Sequence, residues 1–532
     1  MIVHPRWIVD HSMRQALARK AAPRTRISRS MSYPSPVKGW NERDSLADMR
    51  PDHAIILNNF FPKTSYCEIR GGNSSHATGT TGNIKTLAVY NAVNGTNTMY
   101  AYTESGIYDV SSAGAVGASK LARTNGKHQW TMFGDGTSNW LIAVNGVDKP
   151  AYFDGTTWTA VDGATSPALT GLTTTNISSL FEFKGRLIFL ENNSLSFWYL
   201  SAGLAGGALT EFDMSGVAKK GGYLMAGATW TFDGGSGPDD RAVFVTSEGE
   251  VIIYSGTNPG SASAWALTGV FDLGKPLGRR CMQKIAGDLV VITEGGAYPL
   301  STALQSAIVD NRVALTNIIE NAFTSASRSY GSQWGWEAIV YPAQSAMIFN
   351  IPIAEDGTHQ QYVMNTITKA WCRFTDWNAE TFAVFNGQLY FSRGTAVYKA
   401  WSGTSDAGNN IIAYGKTAFS YFKDMGSEKR FSMFRPVLAA NGSLSFLTDI
   451  DVDFGDTEIA GEATYTAISG GQWDISNWDE AYWAAGMEVL KEWTSPDEDV
   501  GRCAAGKIKI ATNSLTVQWL SCDWIYETGG PL

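Results

Sequence analysis

A turn followed by a short strand recurs along this sequence from about residue 86 to residue 403. Each copy has Gly or a small polar residue in the turn and then β-branched or aromatic residues, as in "ESGIYDV" (104–110) and "FKGRLIFL" (183–190). The turn residues are spaced by 40, 39, 64, 38, 58 and 42 positions: Gly106, Gly146, Gly185, Gly249, Gly287, Ser345 and Gly387. A period of this size matches a unit of about four strands, the size of one propeller blade. The sequence therefore predicts a β-propeller of six or seven blades over residues 86–403, with a stack of β-sandwiches as the alternative.

Longer alternating segments follow the propeller region. Residues 415–438, 442–455 and 506–527 alternate apolar and polar side chains, which is the pattern of antiparallel strands with one buried face. We therefore expect a separate antiparallel β platform or sandwich over residues 404–532, which a connecting segment at residues 36–85 joins. The 55 Gly residues and the low charged fraction of 17% also fit an all-β chain with many turns.

Charge is distributed unevenly along the chain, whose formal net charge is −9. The predicted N-terminal arm, residues 1–35, carries seven basic residues and one acid within its first 30 positions, a net charge of +6. Residues 449–499 carry fourteen acids and one base, a net charge of −13. Blocks of one sign are solvated tails or interaction surfaces. For the arm, docking onto an acidic partner, contact with nucleic acid and a solvated tail all stay open.

The sequence indicates no cofactor or catalytic site. Five Cys residues lie far apart without a C-x-x-C pair, so neither a disulfide framework nor a zinc site is predicted. No stretch reaches the 18 or so apolar residues of a membrane helix, so we predict no membrane span and folding in a reducing cytoplasm. We assign no catalytic residue and no metal ligand.

The segment "DIDVDFG" (449–455) places Asp at alternate positions, as a calcium loop does. Phe454 stands where such a loop needs a Gly for its sharp turn. We therefore expect a strand whose outer face is acidic and whose buried face carries Ile450, Val452 and Phe454, with calcium binding as the alternative.

Two other motifs have alternative interpretations. The segments at 134–140 ("GDGTSNW") and 152–158 ("YFDGTTW") resemble the Asp-box turns of sialidases but lack the residue between Asp and Gly. We predict Asp-Gly hairpin turns on which a Trp packs.

Arg279 and Arg280 either bind a carboxylate of a neighbouring blade or subunit, or form a surface pair.

Five stretches, in order, resemble the tail-nozzle, or tail-hub, β-propeller proteins of short-tailed bacteriophages. The longest is "WALTGVFDLGKPLGRRCMQKIAGDLVVITEGGAYPLSTAL" (265–304). The others are "KGWNERDSLADMRPDHAIILNNFFPKTSYCEIRGG" (38–72), "FKGRLIFLENNSLSFWYLS" (183–201), "VMNTITKAWCRFTDW" (363–377) and "FKDMGSEKRFSMFRPVL" (422–438). Together they cover about residues 38–440, and their order and spacing, rather than any single motif, carry the resemblance.

The resemblance implies a non-enzymatic virion protein. Six copies would form a ring below the portal and adaptor, or head-to-tail connector, with tail fibres or spikes as further partners. This ring would close the tail channel, retain packaged DNA and conduct it at ejection, without sequence-specific binding to the duplex. The protein would be assembled in the cytoplasm of the bacterial host. The alternative function is a glycan-binding or glycan-degrading propeller, either a receptor-binding protein or a glycosidase.

The charge blocks suggest where this ring would meet its partners. A conduit for DNA should not bind phosphates, because each Lys or Arg contact adds affinity that opposes sliding. We therefore expect acidic side chains to line the channel: Asp449, Asp451, Asp453, Asp456, Glu458, Asp474, Asp479 and Glu480. We expect the basic arm to dock onto the adaptor through Arg14, Arg19, Lys20, Arg24, Arg26 and Arg29.

Three Trp residues at intervals of five lie within the acidic block, in "GGQWDISNWDEAYW" (470–483). The interval fits neither the helical period of 3.6 nor the strand period of 2. We interpret the segment as successive short turns, with each Trp packed into the C-terminal domain or a neighbouring subunit.

Overall fold

A computed structural model describes residues 28–233, 238–304, 311–465, 487–496 and 500–531. From residue 28 onward, five strands precede the propeller region: β1 (Ser28–Pro34), β2 (Ala54–Asn58), β3 (Phe60–Pro62), β4 (Cys67–Ile69) and β5 (Asn73–Thr78). Residues 28–34, which the sequence assigned to the arm, pair with the last strand of the chain over their whole length.

Blades 1 to 4 follow as consecutive antiparallel sheets. Blade 1 has β6 (Thr86–Tyr90), β7 (Thr98–Tyr102) and β8 (Ile107–Asp109), followed by the short β9 (Gly114–Ala115). Blade 2 has β10 (Gln129–Gly134), β11 (Asn139–Val144), β12 (Ala151–Phe153) and β13 (Trp158–Ala160). After β14 (Leu169–Thr170), blade 3 has β15 (Ile177–Phe183), β16 (Arg186–Glu191), β17 (Ser196–Tyr199) and β19 (Thr210–Asp213), while β18 (Gly207–Ala208) pairs with β14. Blade 4 has β20 (Leu224–Asp233), β21 (Pro238–Thr246), β22 (Glu250–Gly256) and β23 (Trp265–Asp272).

Blades 5 to 7 complete the propeller. Blade 5 has β24 (Met282–Ile285), β25 (Asp288–Thr293) and β26 (Gly296–Pro299), followed by the helices α1 (Leu300–Ala303) and α2 (Glu320–Tyr330). Blade 6 has β27 (Glu337–Tyr341), β28 (Ala346–Pro352), β29 (His359–Asn365) and β30 (Trp371–Phe374). Blade 7 has β31 (Thr381–Phe385), β32 (Gln388–Arg393) and β33 (Ala396–Ala400).

The ring of blades is closed. The innermost strands of successive blades contact each other in order, and the last contacts the first. The N-terminal strand β5 pairs antiparallel with β33 and so adds a fourth strand to blade 7. Closure by one strand from the other end of the region couples the two ends of the propeller and leaves only short, protected edges. The all-β propeller predicted from the turn spacing is confirmed, with seven blades among the described residues.

The conformation of five of the seven marker turns explains why the repeat is visible in the sequence; Gly106 and Gly287 are not left-handed. Gly146, Gly185, Gly249 and Gly387 all have φ between 71° and 89°. These are left-handed conformations that Gly adopts without a steric penalty. Ser345 takes the same kind of turn at φ 51°. The strands between the turns carry continuous apolar runs, because blades pack on both faces of each sheet.

The described residues of the C-terminal part supply seven more strands. They are β34 (Ile411–Thr417), β35 (Ser427–Ala440), β36 (Phe446–Val452), β37 (Glu488–Leu490), β38 (Val500–Gly501), β39 (Ala504–Thr512) and β40 (Val517–Pro531). One sheet has the order β3-β4-β40-β35-β37, with β1 also paired to β40 and β38 to β35. The other has the order β2-β34-β39-β36 and continues through β2 into β30 of blade 6.

The two C-terminal sheets pack as a sandwich with an aromatic core. Gly415 on β34 and Gly506 on β39 lie directly beneath the rings of Trp519 and Phe434, and any side chain at either Gly would collide with them. Trp519 and Phe434 are almost completely buried. Small residues on one sheet thus accommodate large rings on the other, as close packing of interiors requires. Among the described residues, no helix is long and apolar enough to cross a membrane.

Candidate functional site

The seven innermost strands begin at one face of the propeller, here called the start face, and Arg280 lies there just before β24. Its guanidinium donates to Glu337 Oε2 at 2.7 Å and to Thr381 Oγ1 at 2.8 Å, in blades 6 and 7. It also donates to Thr86 Oγ1 in blade 1 at 2.6 Å and to the carbonyl of His128, before blade 2, at 3.2 Å. One side chain of blade 5 therefore binds four other blades.

Arg279 binds the remaining blades. Its guanidinium donates to the carbonyl of Met225 in blade 4 at 3.2 Å and to Asn192 Oδ1, after β16 of blade 3, at 3.0 Å. The two consecutive arginines thus connect all seven blades at the axis. Of the two interpretations of this pair, the carboxylate of another blade is the one observed, through Glu337. We name Arg279, Arg280 and Glu337 the axial cluster.

Glu337 is anchored on both sides. Its Oε1 accepts the backbone N–H of Phe382 at 2.6 Å, and Oε2 accepts from Arg280. Burial raises the pKa of Glu337, and the ion pair with Arg280 opposes that shift. The guanidinium of Arg280 also stacks on the ring of Trp334, 4.6 Å from its centroid, a favourable cation–π geometry.

Below the axial cluster, the propeller axis contains a cavity of about 330 Å³. Residues of all seven innermost strands line it, among them Trp130, Phe181 and Phe382. The innermost strands of the blades thus enclose a space at the axis, and Arg279, Arg280 and Glu337 of the axial cluster also line it. The size of this cavity lies at the lower end of the range for ligand pockets.

A second polar cluster lies beside the axial cluster on the start face. The amine of Lys85, whose side chain is 1% exposed, ion-pairs with Asp356, with Glu380 at 3.1 Å and with Glu355 at 3.4 Å. Lys127 pairs with Glu355 at 2.6 Å. Burial raises the pKa of Glu380 to about 7, although Lys85 opposes this. No sequence pattern predicts this cluster, because its members lie up to 295 positions apart.

Asp451 was predicted to line a DNA channel, and this prediction is wrong because the residue is buried inside the C-terminal sandwich. Its side chain is completely buried and pairs with Lys416 at 2.6 Å and with Lys507 at 2.7 Å. Burial raises the pKa of Asp451, but hydrogen bonds from the two amines outweigh that effect and hold it below its usual value. A carboxylate committed to two buried amines cannot repel DNA. We name Lys416, Asp451 and Lys507 the lysine cluster.

The predicted acidic outer face of "DIDVDFG" is therefore wrong at its centre. Ile450 is buried as expected, but so is Asp451, while Phe454 is 40% exposed. The strand β36 ends at Val452, and Asp453 and Phe454 adopt left-handed conformations. Both faces of the strand are covered, one by the sandwich core and the other by the loop that Thr457 anchors on Asp451. The signal that could have shown this is "GKIKIA", whose Lys507 lies opposite Asp449 on β39.

The other predicted acidic residues fall into three groups. Asp449 is partly buried and pairs with Lys507 at 3.1 Å. Asp453 is exposed and accepts the backbone N–H of Arg502, Asp456 is exposed and pairs with Lys416, and Glu458 is exposed. Asp474, Asp479 and Glu480 lie outside the described residues, as does the whole Trp-rich segment 470–483.

Of the predicted adaptor-docking residues, the structure describes one. Arg29 lies exposed on β1 at the edge of the C-terminal sheet. The others lie outside the described residues: Arg14, Arg19, Lys20, Arg24 and Arg26.

The remaining motif predictions concern turns, cysteines and metals. Asp135 accepts the N–H groups of Thr137 and Ser138 and the indole N–H of Trp140, so the predicted Asp-Gly turn with a packed Trp is confirmed in blade 2. All five Cys are buried and free. Within the described ranges, no group of three or more acidic, His or Cys residues is arranged to hold a metal ion.

Comparisons with known proteins give a likeness of fold only. No protein-family model and no curated protein matches the sequence. One similar solved structure is the extracellular domain of the hybrid two component system BT3049 from B. thetaiotaomicron, at 11% identity and a TM-score of 0.38, over 65% of this chain but only 45% of that one. The β-propeller domain of Cps50 (Swd1) from Myceliophteria thermophila matches at 10% identity and 0.38, over 60% and 98% of the two chains. YCF48 from Cyanidioschyzon merolae matches at 9% identity and 0.33, over 63% and 98%.

Proposed function

We propose that this chain is a structural protein of a short phage tail. Six copies form a ring below the portal and adaptor, close the tail channel, retain packaged DNA and conduct it at ejection. The ordered resemblance over residues 38–440 supports this assignment, and so does the architecture of a closed propeller joined to a β-sandwich. The protein acts as a scaffold in this role and performs no chemistry on the DNA.

The observation that carries the proposal is the use made of the propeller axis. Arg279 and Arg280 donate hydrogen bonds to groups of the other six blades, so their guanidinium groups cross-link the propeller at its axis. An axis occupied in this way holds the blades together and leaves no passage for a duplex. A channel for DNA therefore lies between copies, on the symmetry axis of a ring.

Exposed carboxylates on the C-terminal part support a channel wall that repels DNA. Six described acids of the block 449–499 are exposed, whereas Asp451 is buried. The exposed acids are Asp453, Asp456, Glu458, Glu462, Glu488 and Glu492. A ring multiplies this charge by the number of copies, and clefts lined by one sign of charge focus the field. We propose that these side chains face the lumen.

Electron microscopy of the purified full-length protein, alone and mixed with the adaptor, tests this function. We expect closed rings of sixfold symmetry, with the exposed carboxylates of residues 453–462 at the bore. A protein that stays monomeric with and without the adaptor contradicts the proposal. Rings that turn residues 453–462 outward contradict the lumen assignment but leave the ring itself intact.

Removal of residues 1–27 tests the proposed role of the arm. We expect the truncated protein to form rings but to lose binding to the adaptor, because six of the seven basic residues of the arm precede residue 28. Adaptor binding that survives the truncation at low salt shows that the arm has another role.

A further inference from the structure

A cleft of about 420 Å³ lies between the connecting segment, α2 and blade 6, away from the axial cluster. Its volume is typical of small-molecule sites. Trp40 and Glu42 come from the connecting segment, and Tyr362 and Arg373 come from neighbouring strands of blade 6. Three separate segments of the chain thus converge on one concave surface.

Arg373 is held rigidly at the floor of this cleft. Its Nε donates to Asn58 Oδ1 at 2.9 Å, and its guanidinium stacks on Trp40, 5.5 Å from the ring centroid. Tyr362 lies directly opposite it on β29, and its ring contacts Trp40 edge-on at 5.0 Å. An arginine fixed in this way loses little conformational entropy when it binds a ligand.

The terminal nitrogens of Arg373 are free to bind a ligand. No described residue accepts a hydrogen bond from Nη1 or Nη2, whereas Nε is already used. Glu42, also in the cleft, accepts the indole N–H of Trp40 at 3.2 Å and forms no ion pair with Arg373 among the described residues. Burial lowers the pKa of Arg373, and Tyr362 and Glu42 oppose that shift, so the guanidinium carries a desolvation cost that Glu42 offsets only from a distance, without an ion pair. A ligand carboxylate would remove that cost through bidentate hydrogen bonds.

Two walls of the cleft carry polar groups. On α2, Ala322, Ser325, Ala326 and Ser329 follow the spacing of one helical face and line the cleft with small side chains. Gln360 lies two positions before Tyr362 and therefore on the same face of β29. Neither serine hydroxyl nor the Gln360 amide forms a hydrogen bond with a described residue. These groups suit a ligand that carries several hydroxyl groups.

We propose that this cleft binds a saccharide that bears a carboxylate, a uronic acid, with the carboxylate on the terminal nitrogens of Arg373. The ring hydroxyls bind Ser325, Ser329 and Gln360. An acidic peptide would also satisfy the guanidinium, so its binding is the competing outcome of the test. This binding activity is separate from the proposed tail function, and neither depends on the other.

Calorimetric titration of the full-length protein with sodium glucuronate, glucose and triglutamate tests the proposal. We expect glucuronate to bind about tenfold or more tightly than glucose, the difference that one charge-assisted contact supplies. Arg373→Gln should remove this preference, so that glucuronate and glucose bind with about the same affinity. Ser329→Trp, an exposed position on α2, should abolish binding by filling the cleft while leaving the melting temperature within a few degrees of the wild type.

The matched control is Arg328→Gln, an exposed arginine on the same helix that does not line the cleft. It should leave glucuronate binding unchanged. Absence of glucuronate binding, or binding that Ser329→Trp leaves intact, overturns the proposal. Binding of triglutamate in preference to glucuronate overturns it as well, and identifies the cleft as a docking site for an acidic peptide instead.

Discussion

Arg280 and Glu337 face each other at the propeller axis, with 2.7 Å between Nη1 and Oε2. Their side chains are 12% and 11% exposed, so neither charge is well hydrated. The contact joins blade 5 to blade 6, and Arg280 extends it to three more blades. The stability of the ring therefore depends on a pair of residues 57 positions apart.

Replacement of Arg280 by Met should destabilise the protein strongly. It leaves Glu337 buried without its partner, which typically costs about 3–5 kcal/mol of the free energy of unfolding. Urea denaturation followed by Trp fluorescence measures the loss. Replacement of both residues by Met should cost less than Arg280→Met alone, because no unpaired charge remains.

The control for this prediction is Lys220→Met, which breaks the exposed pair between Lys220 and Asp272. Their side chains are 44% and 58% exposed. We expect a change of at most about 1 kcal/mol, as for other surface pairs. An equal loss in Lys220→Met and Arg280→Met would show that the axial cluster has no special role in stability.

Asp451→Asn should destabilise the C-terminal sandwich without changing DNA binding. The substitution leaves the buried amines of Lys416 and Lys507 with a neutral partner, and we expect a loss of about 3–5 kcal/mol. Asp456→Asn is the matched control, because Asp456 also pairs with Lys416 but its side chain is 85% exposed. That variant should stay within about 0.5 kcal/mol of the wild type. An increase in DNA affinity for Asp451→Asn would restore Asp451 to the proposed channel wall.

The two regions differ in how much the sequence could predict about them. The propeller was predictable because most of its marker turns need left-handed residues, and Gly marks these positions at spacings of 38 to 64 residues, as Gly146 and Gly249 do. The burial of Asp451 could not be predicted, because an alternating pattern shows which residues share a face of a strand but not what covers each face. The partner of Arg280 could not be predicted either. Its contact with Thr86 spans 194 positions and forms only when the ring closes.

Glu380 should make the stability of the propeller depend on pH near neutrality. Its pKa rises from an ordinary 4.5 to about 7 on folding, so the folded state holds the proton more tightly than the unfolded state does. Stability from this group is therefore complete below about pH 4.5 and is lost as the pH rises through 7. Lys85 and Asp356 face the same carboxyl group. The pKa of Lys85 is raised and the pKa of Asp356 is lowered, so both groups remain charged across this window.

The variant Glu380→Gln isolates this contribution, because Gln accepts the hydrogen bond from Lys85 but does not titrate. Between pH 4.5 and pH 8 the wild type should lose the stability that protonated Glu380 provides, whereas the variant should not. The unfolding free energy of the variant, relative to that of the wild type, should therefore rise with pH. The shift amounts to at most about 3 kcal/mol. Urea denaturation at a series of pH values measures it. A constant difference across the series would show that Glu380 titrates normally in the folded protein.

Reversal of exposed charge should convert the proposed channel wall into a surface that binds DNA. Glu458 and Glu462 are exposed, and neither forms an ion pair with a described residue. Their replacement by Lys should raise the affinity of the assembled ring for duplex DNA. The logarithm of the binding constant should then fall more steeply with the logarithm of salt concentration, with a slope steeper by about 0.9 for each phosphate newly contacted.

Glu104 and Glu294, exposed on the propeller, give a control variant with the same change of net charge. Fluorescence anisotropy at several salt concentrations should show the steeper slope for the first variant only, because the control charges lie outside the proposed lumen. Equal slopes for both variants would mean that net charge alone governs DNA binding, and the acidic wall would lose its support.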